Sequence, residues 1–107
     1  MPDFAPGQVV TVFRSRLRDD AAPGYHDTAD EILALARRQP GFVDYGAFYA
    51  ADGERVSIVT FADHESQRSW AADLQHRAAQ DRGRRDWYRW YSIQVADCVR
   101  TIEHTFV

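Results

Sequence analysis

Two strand-like runs, residues 42–51 and 55–61, separated by Asp52-Gly53 and entered through Pro40-Gly41, constrain this chain more than anything else in it. In the first run Val43, Tyr45, Ala47 and Tyr49 alternate with Phe42, Gly46 and Phe48, and the second is rich in Val, Ile and Thr. Period-two alternation marks a half-buried strand. Asp52-Gly53 supplies the positive φ angles of a tight hairpin between the two. A lone hairpin is marginal in water, so the elements on either side of it decide the fold.

Upstream, residues 1–8 with Pro2, Pro6 and Gly7 read as a loose arm. Residues 9–18 then alternate, with Val9, Thr11, Phe13, Ser15 and Leu17 on a face expected to meet the core. The other face carries Val10 and Val12 followed by Arg14, Arg16 and Arg18. A turn at 19–24 leads to a helix whose apolar stripe is Tyr25, Ala29, Ile32, Leu33 and Ala36. Asp27, Asp30 and Glu31 lie early in it and Arg37 and Arg38 late, as the helix dipole favours. Downstream of the hairpin, Asp63 reads as the N-cap of a second helix running through Trp70. A separate short helix is suggested after Asp73 by His76, Ala79, Gln80 and Gly83, which share one face. From Tyr91 onward a last strand alternates Tyr91, Ile93, Val95 and Val99 with Ser92, Gln94, Ala96 and Cys98.

The order β-α-β-β-α-β, without linker or repeat, predicts one α+β domain over residues 1–107. It is ferredoxin-like, a four-stranded antiparallel sheet with both helices on one face. The other face, with Val10, Val12 and Val43 or Phe42, would then be apolar and uncovered. A twofold homodimer closing two sheets into a dimeric α+β barrel is the economical cover for it.

Composition narrows the chemistry. The net charge of -3 argues against nucleic acid or an anionic membrane as partner. All 13 basic residues are arginine, so Schiff-base and lysine-anchored cofactor chemistry are excluded. A single cysteine, Cys98, excludes an internal disulfide and a thiolate cluster, and reads as a small core residue of a strand. No basic leader and no membrane-length apolar run is present, which makes the cytoplasm the expected location. Nucleotide-loop, zinc-hydrolase and serine-hydrolase motifs are missing. The four histidines show no ligand spacing, so no metal is expected.

The concentrated chemistry lies in residues 70–91, which hold Trp70, Trp87 and Trp90, His76, Tyr88, Tyr91 and several arginines. An imidazole such as His76 can act as a base, or simply cap a helix. The tryptophans can wall a pocket for a flat ring or fill a small core. Tyr88 can donate a hydrogen bond to a substrate oxygen, whereas alternation assigns Tyr91 to the apolar side of the strand. Arg82, Arg84, Arg85 and Arg89 suit a carboxylate or phenolate, or form a solvated face with Asp81 and Asp86.

The segments VVTVFRSRLR, PGFVDYGAF, DGERVSIVTF and HRAAQDRGRRDWYRWYSIQVADCVR, which span residues 9–100, resemble the antibiotic biosynthesis monooxygenase domain family. That family comprises small dimeric α+β barrels, and its enzymes include cofactor-independent monooxygenases of polycyclic phenols, quinol monooxygenases and haem-degrading monooxygenases. The resemblance implies a cleft between helices and sheet lined by Trp70, His76, Trp87 and Tyr88, with Phe13 and Ser15 opposite on the first strand. There a small or polycyclic phenol or quinol would be oxidised by dioxygen without a cofactor. His76 would assist deprotonation, and Arg84 or Arg85 would favour the anion. The alternative is a haem-binding or haem-degrading protein. For that branch the chain supplies Trp70 and His76 at a shorter spacing, and Ser15 where an asparagine is usual. A third alternative is a non-catalytic dimeric binding or stress-associated module.

Overall fold

The computed structural model describes residues 2–20, 25–80 and 87–106, and within these the side chains of all but 25–28 and 75–80. The elements are β1 (Val9–Leu17), α1 (Tyr25–Arg38), β2 (Phe42–Tyr49), β3 (Arg55–Phe61), α2 (His64–Gln80) and β4 (Tyr88–Asp97). The four strands form one antiparallel sheet in the order β2-β3-β1-β4, so the expected ferredoxin-like α+β architecture is the one observed.

The register divides the sheet into two faces. Val9, Thr11, Phe13 and Ser15 stand opposite Phe61, Val59, Ser57 and Arg55 on β3, and opposite Asp97, Val95, Ile93 and Tyr91 on β4. Directly opposed residues share a face, and this is the face the helices cover. Phe61, Val59, Ala36 and Trp70 form its buried core, with Ile32, Leu35, Phe42, Tyr45 and Leu74 packed around them. The α1 stripe therefore turns slightly from expectation, bringing in Leu35. Gln67 of α2 pins the helix to β1 by donating to Thr11 Oγ1 at 3.3 Å in a buried contact.

Of the two residues left open for the uncovered face, Val43 or Phe42, Phe42 is not on it. The β2–β3 register shifts between Phe42 and Asp44, so that Phe42 stands opposite Phe61, with their rings 6.2 Å apart. One extra residue in a strand reverses the side to which everything before it belongs. The uncovered face consists instead of Val10, Val12, Val56, exposed Ile58 and exposed Phe48.

Three further boundaries differ. The hairpin loop is Ala51, Asp52 and Gly53, closed by Ala50 N–H donating to Glu54 O at 2.8 Å and Gly53 N–H to Ala50 O at 2.9 Å. Within this loop only Gly53 has a positive φ, +92°, which is the three-residue hairpin with a glycine bulge rather than a two-residue turn. Arg14 and Arg16 reach up from β1 to clasp this loop, pairing with Glu54 and Asp52. The hydrogen bond from Arg14 holds the Glu54 carboxyl below its ordinary range, and the Glu54 N–H does the same for Asp52.

Second, α2 is a single helix to Gln80, with no break after Asp73. Asp63 caps it as expected, accepting the Ser66 N–H at 2.8 Å, which lowers the Asp63 carboxyl. Entry into this region depends on Gly41, whose φ is +88° and where a Cβ would collide with the Ser66 side chain. Third, β4 begins at Tyr88 and ends at Asp97, so Cys98 and Val99 follow the strand instead of belonging to it. Beyond it Val99, Ile102 and Phe106 are almost fully exposed. Among the described residues no helix is long and apolar enough to cross a membrane.

Candidate active site

The end of the helix-facing sheet remote from the core changes character. Ser15 Oγ is there, on a residue with 0% exposure, and it finds no hydrogen-bond partner among the described residues. Burying a hydroxyl without a partner is unfavourable.

Aromatic rings surround it. Tyr91 stands directly opposite Ser15 on β4, and Phe13 is two residues away on the same face. The Phe13, Tyr88 and Tyr91 rings form a triangle with centroids 5.6 to 5.8 Å apart. Tyr88 and Tyr91 are three residues apart and would ordinarily project to opposite faces. The register shift between Arg16 and Leu17 places Tyr88 opposite Leu17 and Trp90 opposite Arg16, leaving Arg89 as the extra residue. The bulge brings both tyrosines to one side, and Tyr91 joins Tyr88 where alternation alone favours only one of them. Further along, Ile93 remains 56% exposed although it is on the helix-facing side. The floor of the layer beside α2 is thus open along β4.

Trp87 is buried at the entry to β4, where its carbonyl accepts the Arg18 N–H at 2.8 Å. Beside it Arg18, Asp19, Asp20, Tyr88 and Arg89 line an open depression of about 510 Å³. Its charges pair locally, Arg18 with Asp20 at 3.2 Å and Arg89 with Asp19 at 3.4 Å. Trp70 sits elsewhere, in the core, with its ring 5.3 Å from Phe61. It is only 5% exposed, and its indole N–H also lacks a partner among the described residues.

His76 lies on the backbone of α2, but its side chain, together with Arg84 and Arg85, falls outside the described residues. Of the other histidines with described side chains, His64 contacts Asp97 at 2.6 Å at the opposite end of α2, and His104 meets Phe106 edge to face beyond β4. Among the described residues no group of three or more His, Cys, Asp or Glu is arranged to hold a metal.

Three polar residues that no sequence motif singles out meet on the same face. Tyr45 Oη donates to Ser57 Oγ at 3.5 Å and accepts from Arg55 Nη2 at 3.4 Å. Ser57 is buried and stands opposite Phe13, while Arg55 stands opposite Ser15. Their only sequence signal is the hairpin register, which sets Ala47 against Ser57 and so brings Tyr45 diagonal to it.

The YqjZ protein of Bacillus subtilis, which is uncharacterised, is 31% identical over 85 residues, covering 79% of this chain and 75% of its own. The chain belongs to the YqjZ family. No family model matches it. Among solved structures, a point mutant of SnoaB of Streptomyces nogalater, a cofactor-independent oxygenase, superposes with a TM-score of 0.71 at 22% identity. That match covers 92% of this chain and 99% of SnoaB. Rv0793 of Mycobacterium tuberculosis gives 0.73 at 19% identity, over 90% and 99% of the two chains. A candidate antibiotic biosynthesis monooxygenase of Nitrosomonas europaea gives 0.70 at 13% identity, over 90% and 94%. This YqjZ-family chain therefore has the α+β fold of the antibiotic biosynthesis monooxygenase group.

Proposed function

We propose that the protein is a cofactor-independent monooxygenase that oxidises a small or polycyclic phenol or quinol at the Ser15 end of the helix-facing sheet. The observation that carries this reading is the buried Ser15 hydroxyl, without a partner among the described residues, beside Phe13 and Tyr91 in the ring triangle with Tyr88. Rings supply contact area for a flat substrate, and the hydroxyl supplies a hydrogen bond that fixes its orientation. The shared fold of SnoaB supports the reaction class.

In this reading the substrate loses its hydroxyl proton, and the anion passes one electron to dioxygen. The phenoxyl radical and superoxide combine at a ring carbon, and loss of water leaves the quinone, so phenol and dioxygen give quinone and water. His76, carried late on α2, is the proposed base, and Trp87, Arg84 and Arg85 complete the wall. The haem alternative would draw on Trp70 and His76, whose side chain falls outside the described residues; His64 and His104 lie away from this end of the sheet, and no step is routed through haem.

Oxygen-electrode assays with a naphthohydroquinone and a metal chelator test the proposal. Uptake above the uncatalysed background is expected, and its absence overturns the oxygenase reading. Full turnover by His76→Ala removes His76 as base.

The exposed apolar face with Phe48 and Ile58 supports a twofold dimer closed sheet to sheet. Sedimentation at micromolar concentration is expected to give a dimer, and a monomer contradicts it.

A further inference from the structure

We infer that residues 99–106 are a strand exchanged between two copies of the chain, each copy laying this C-terminal arm along β4 of the other. The inference rests on the dimer proposed above and not on the reaction.

The arm has the form of a strand and lacks a sheet. No turn or helix interrupts residues 98–106, and Thr101, Ile102, Thr105 and Phe106 are strand-favouring types. Side chains two apart meet, as they do on extended chain. The His104 and Phe106 rings are 4.3 Å apart, and Thr101 Oγ1 donates to Glu103 at 3.3 Å. Ile102, His104 and Phe106 therefore share one side. Among the described residues, no backbone-to-backbone hydrogen bond joins 99–106 to the rest of the chain.

The last strand is bare in a matching way. It ends the sheet, and every residue from Arg89 to Asp97 is exposed, including the row Tyr91, Ile93 and Val95. An edge strand of this kind is a template for pairing with another chain.

The arm does not reach that edge within its own chain. Cys98 N–H donates to Gln8 O at 2.8 Å, and Cys98 O accepts the Gly7 N–H at 2.9 Å, so the chain runs on past the end of β4 in the same direction. Residues 98–107 contain no Gly, Pro, Asn or Asp to turn it back.

A second copy fits the arm in length, number and area. Extended, residues 99–106 span about 26 Å, against about 30 Å for Arg89 to Asp97. Each copy has one arm and one bare strand, so a twofold exchange occupies both and leaves neither over. Tyr91, Ile93, Val95, Val99, Ile102 and Phe106 are 49% to 87% exposed. At the lower end of the roughly 150 to 250 Å² that an aromatic side chain can bury, they hold on the order of 700 Å² per copy. That is close to the roughly 800 Å² per partner of a stable interface. The exchanged arm then covers the open floor beside Phe13 and Tyr91, so both copies wall the candidate site.

Ile102→Asp and Ile93→Arg test the exchange, both at exposed positions. In sedimentation each variant alone is expected to dimerise about tenfold more weakly than the wild type, because both seams of its dimer set a charge against an apolar residue. An equimolar mixture is expected to regain the wild-type dimer. One seam of the mixed dimer is unaltered, and in the other a carboxylate meets a guanidinium. Either variant dimerising like the wild type overturns the exchange, as does a mixture no tighter than its components. Ile58→Asp separates this contact from the sheet-to-sheet one: a dimer lost only there keeps the sheet contact and removes the arm. A monomeric wild type at micromolar concentration removes both. Should circular dichroism show Ile93→Arg unfolded, Ile102→Asp/Phe106→Asp carries the test. It is expected to be a monomer, and a persisting dimer overturns the inference.

Discussion

The helix-facing side of the sheet contains two halves built from the same strands to opposite ends. Around Phe61, Val59 and Phe42 most neighbours are apolar, the buried polar pair Gln67 and Thr11 is hydrogen-bonded, and Trp70 closes the space. Four residues away along β1, the face turns to Ser15, Ser57 and Arg55 edged by aromatic rings, and the β4 floor beside them is open. One half lowers the free energy of the fold and the other gives some of it up. On the proposed function, stability and recognition are separated along the strand rather than between strands.

Substitutions can break that comparison. The largest effect is expected from Phe61→Ala, a fully buried ring, at about 3 to 5 kcal/mol of stability in urea unfolding. A much smaller loss would mean that the core lies elsewhere. Next, Tyr88→Ala is expected to weaken naphthohydroquinone binding about tenfold, from lost ring contacts of about 1.4 kcal/mol in sum. Stability should fall by less than for Phe61→Ala, and equal losses in both would merge the two halves. Ser15→Ala sharpens the contrast further. Affinity should drop about fivefold, yet stability should stay level or rise slightly, because an unpaired buried hydroxyl is removed. Marked destabilisation would show that the hydroxyl has a structural partner.

The smallest effect concerns the apolar half's helix start. The Asp63 carboxyl is lowered chiefly by the Ser66 N–H. A depressed folded-state pKa adds stability above the unfolded value of about 3.9, and that stability is lost as pH falls through the folded value. Asp63→Asn keeps a cap but cannot titrate. Its deficit in melting temperature at pH 7 should therefore close below about pH 4. A deficit constant with pH would place the contribution outside ionisation.

The fold was legible because its signals are periodic. Val9 to Ser15 alternate cleanly, and Asp63, Gly41 and Gly53 punctuate the elements where backbone geometry requires them. The site was less so, because it depends on register. A two-residue turn at Asp52-Gly53 would set Tyr45 opposite Thr60, whereas the three-residue loop sets it opposite Val59, on the side of Ser57 and Arg55. A shift of one residue reverses every face assignment in a strand. The bulges at Phe42/Asp44 and Arg16/Leu17 act the same way on Phe42 and on Tyr88. None of the three has a composition signal, so Trp70 stood out as a pocket wall while Tyr45, Ser57 and Arg55 did not.

The Ser15 hydroxyl, without a partner among the described residues, also offers a way to detect ligands. An unsatisfied buried group of this kind is a standing penalty of about 1 to 3 kcal/mol. A molecule that completes its hydrogen bonding relieves that penalty on top of its own contact area. Ligands for this site should therefore announce themselves as unusually large rises in melting temperature for their size, and a library of small phenols can be ranked that way before any turnover is known.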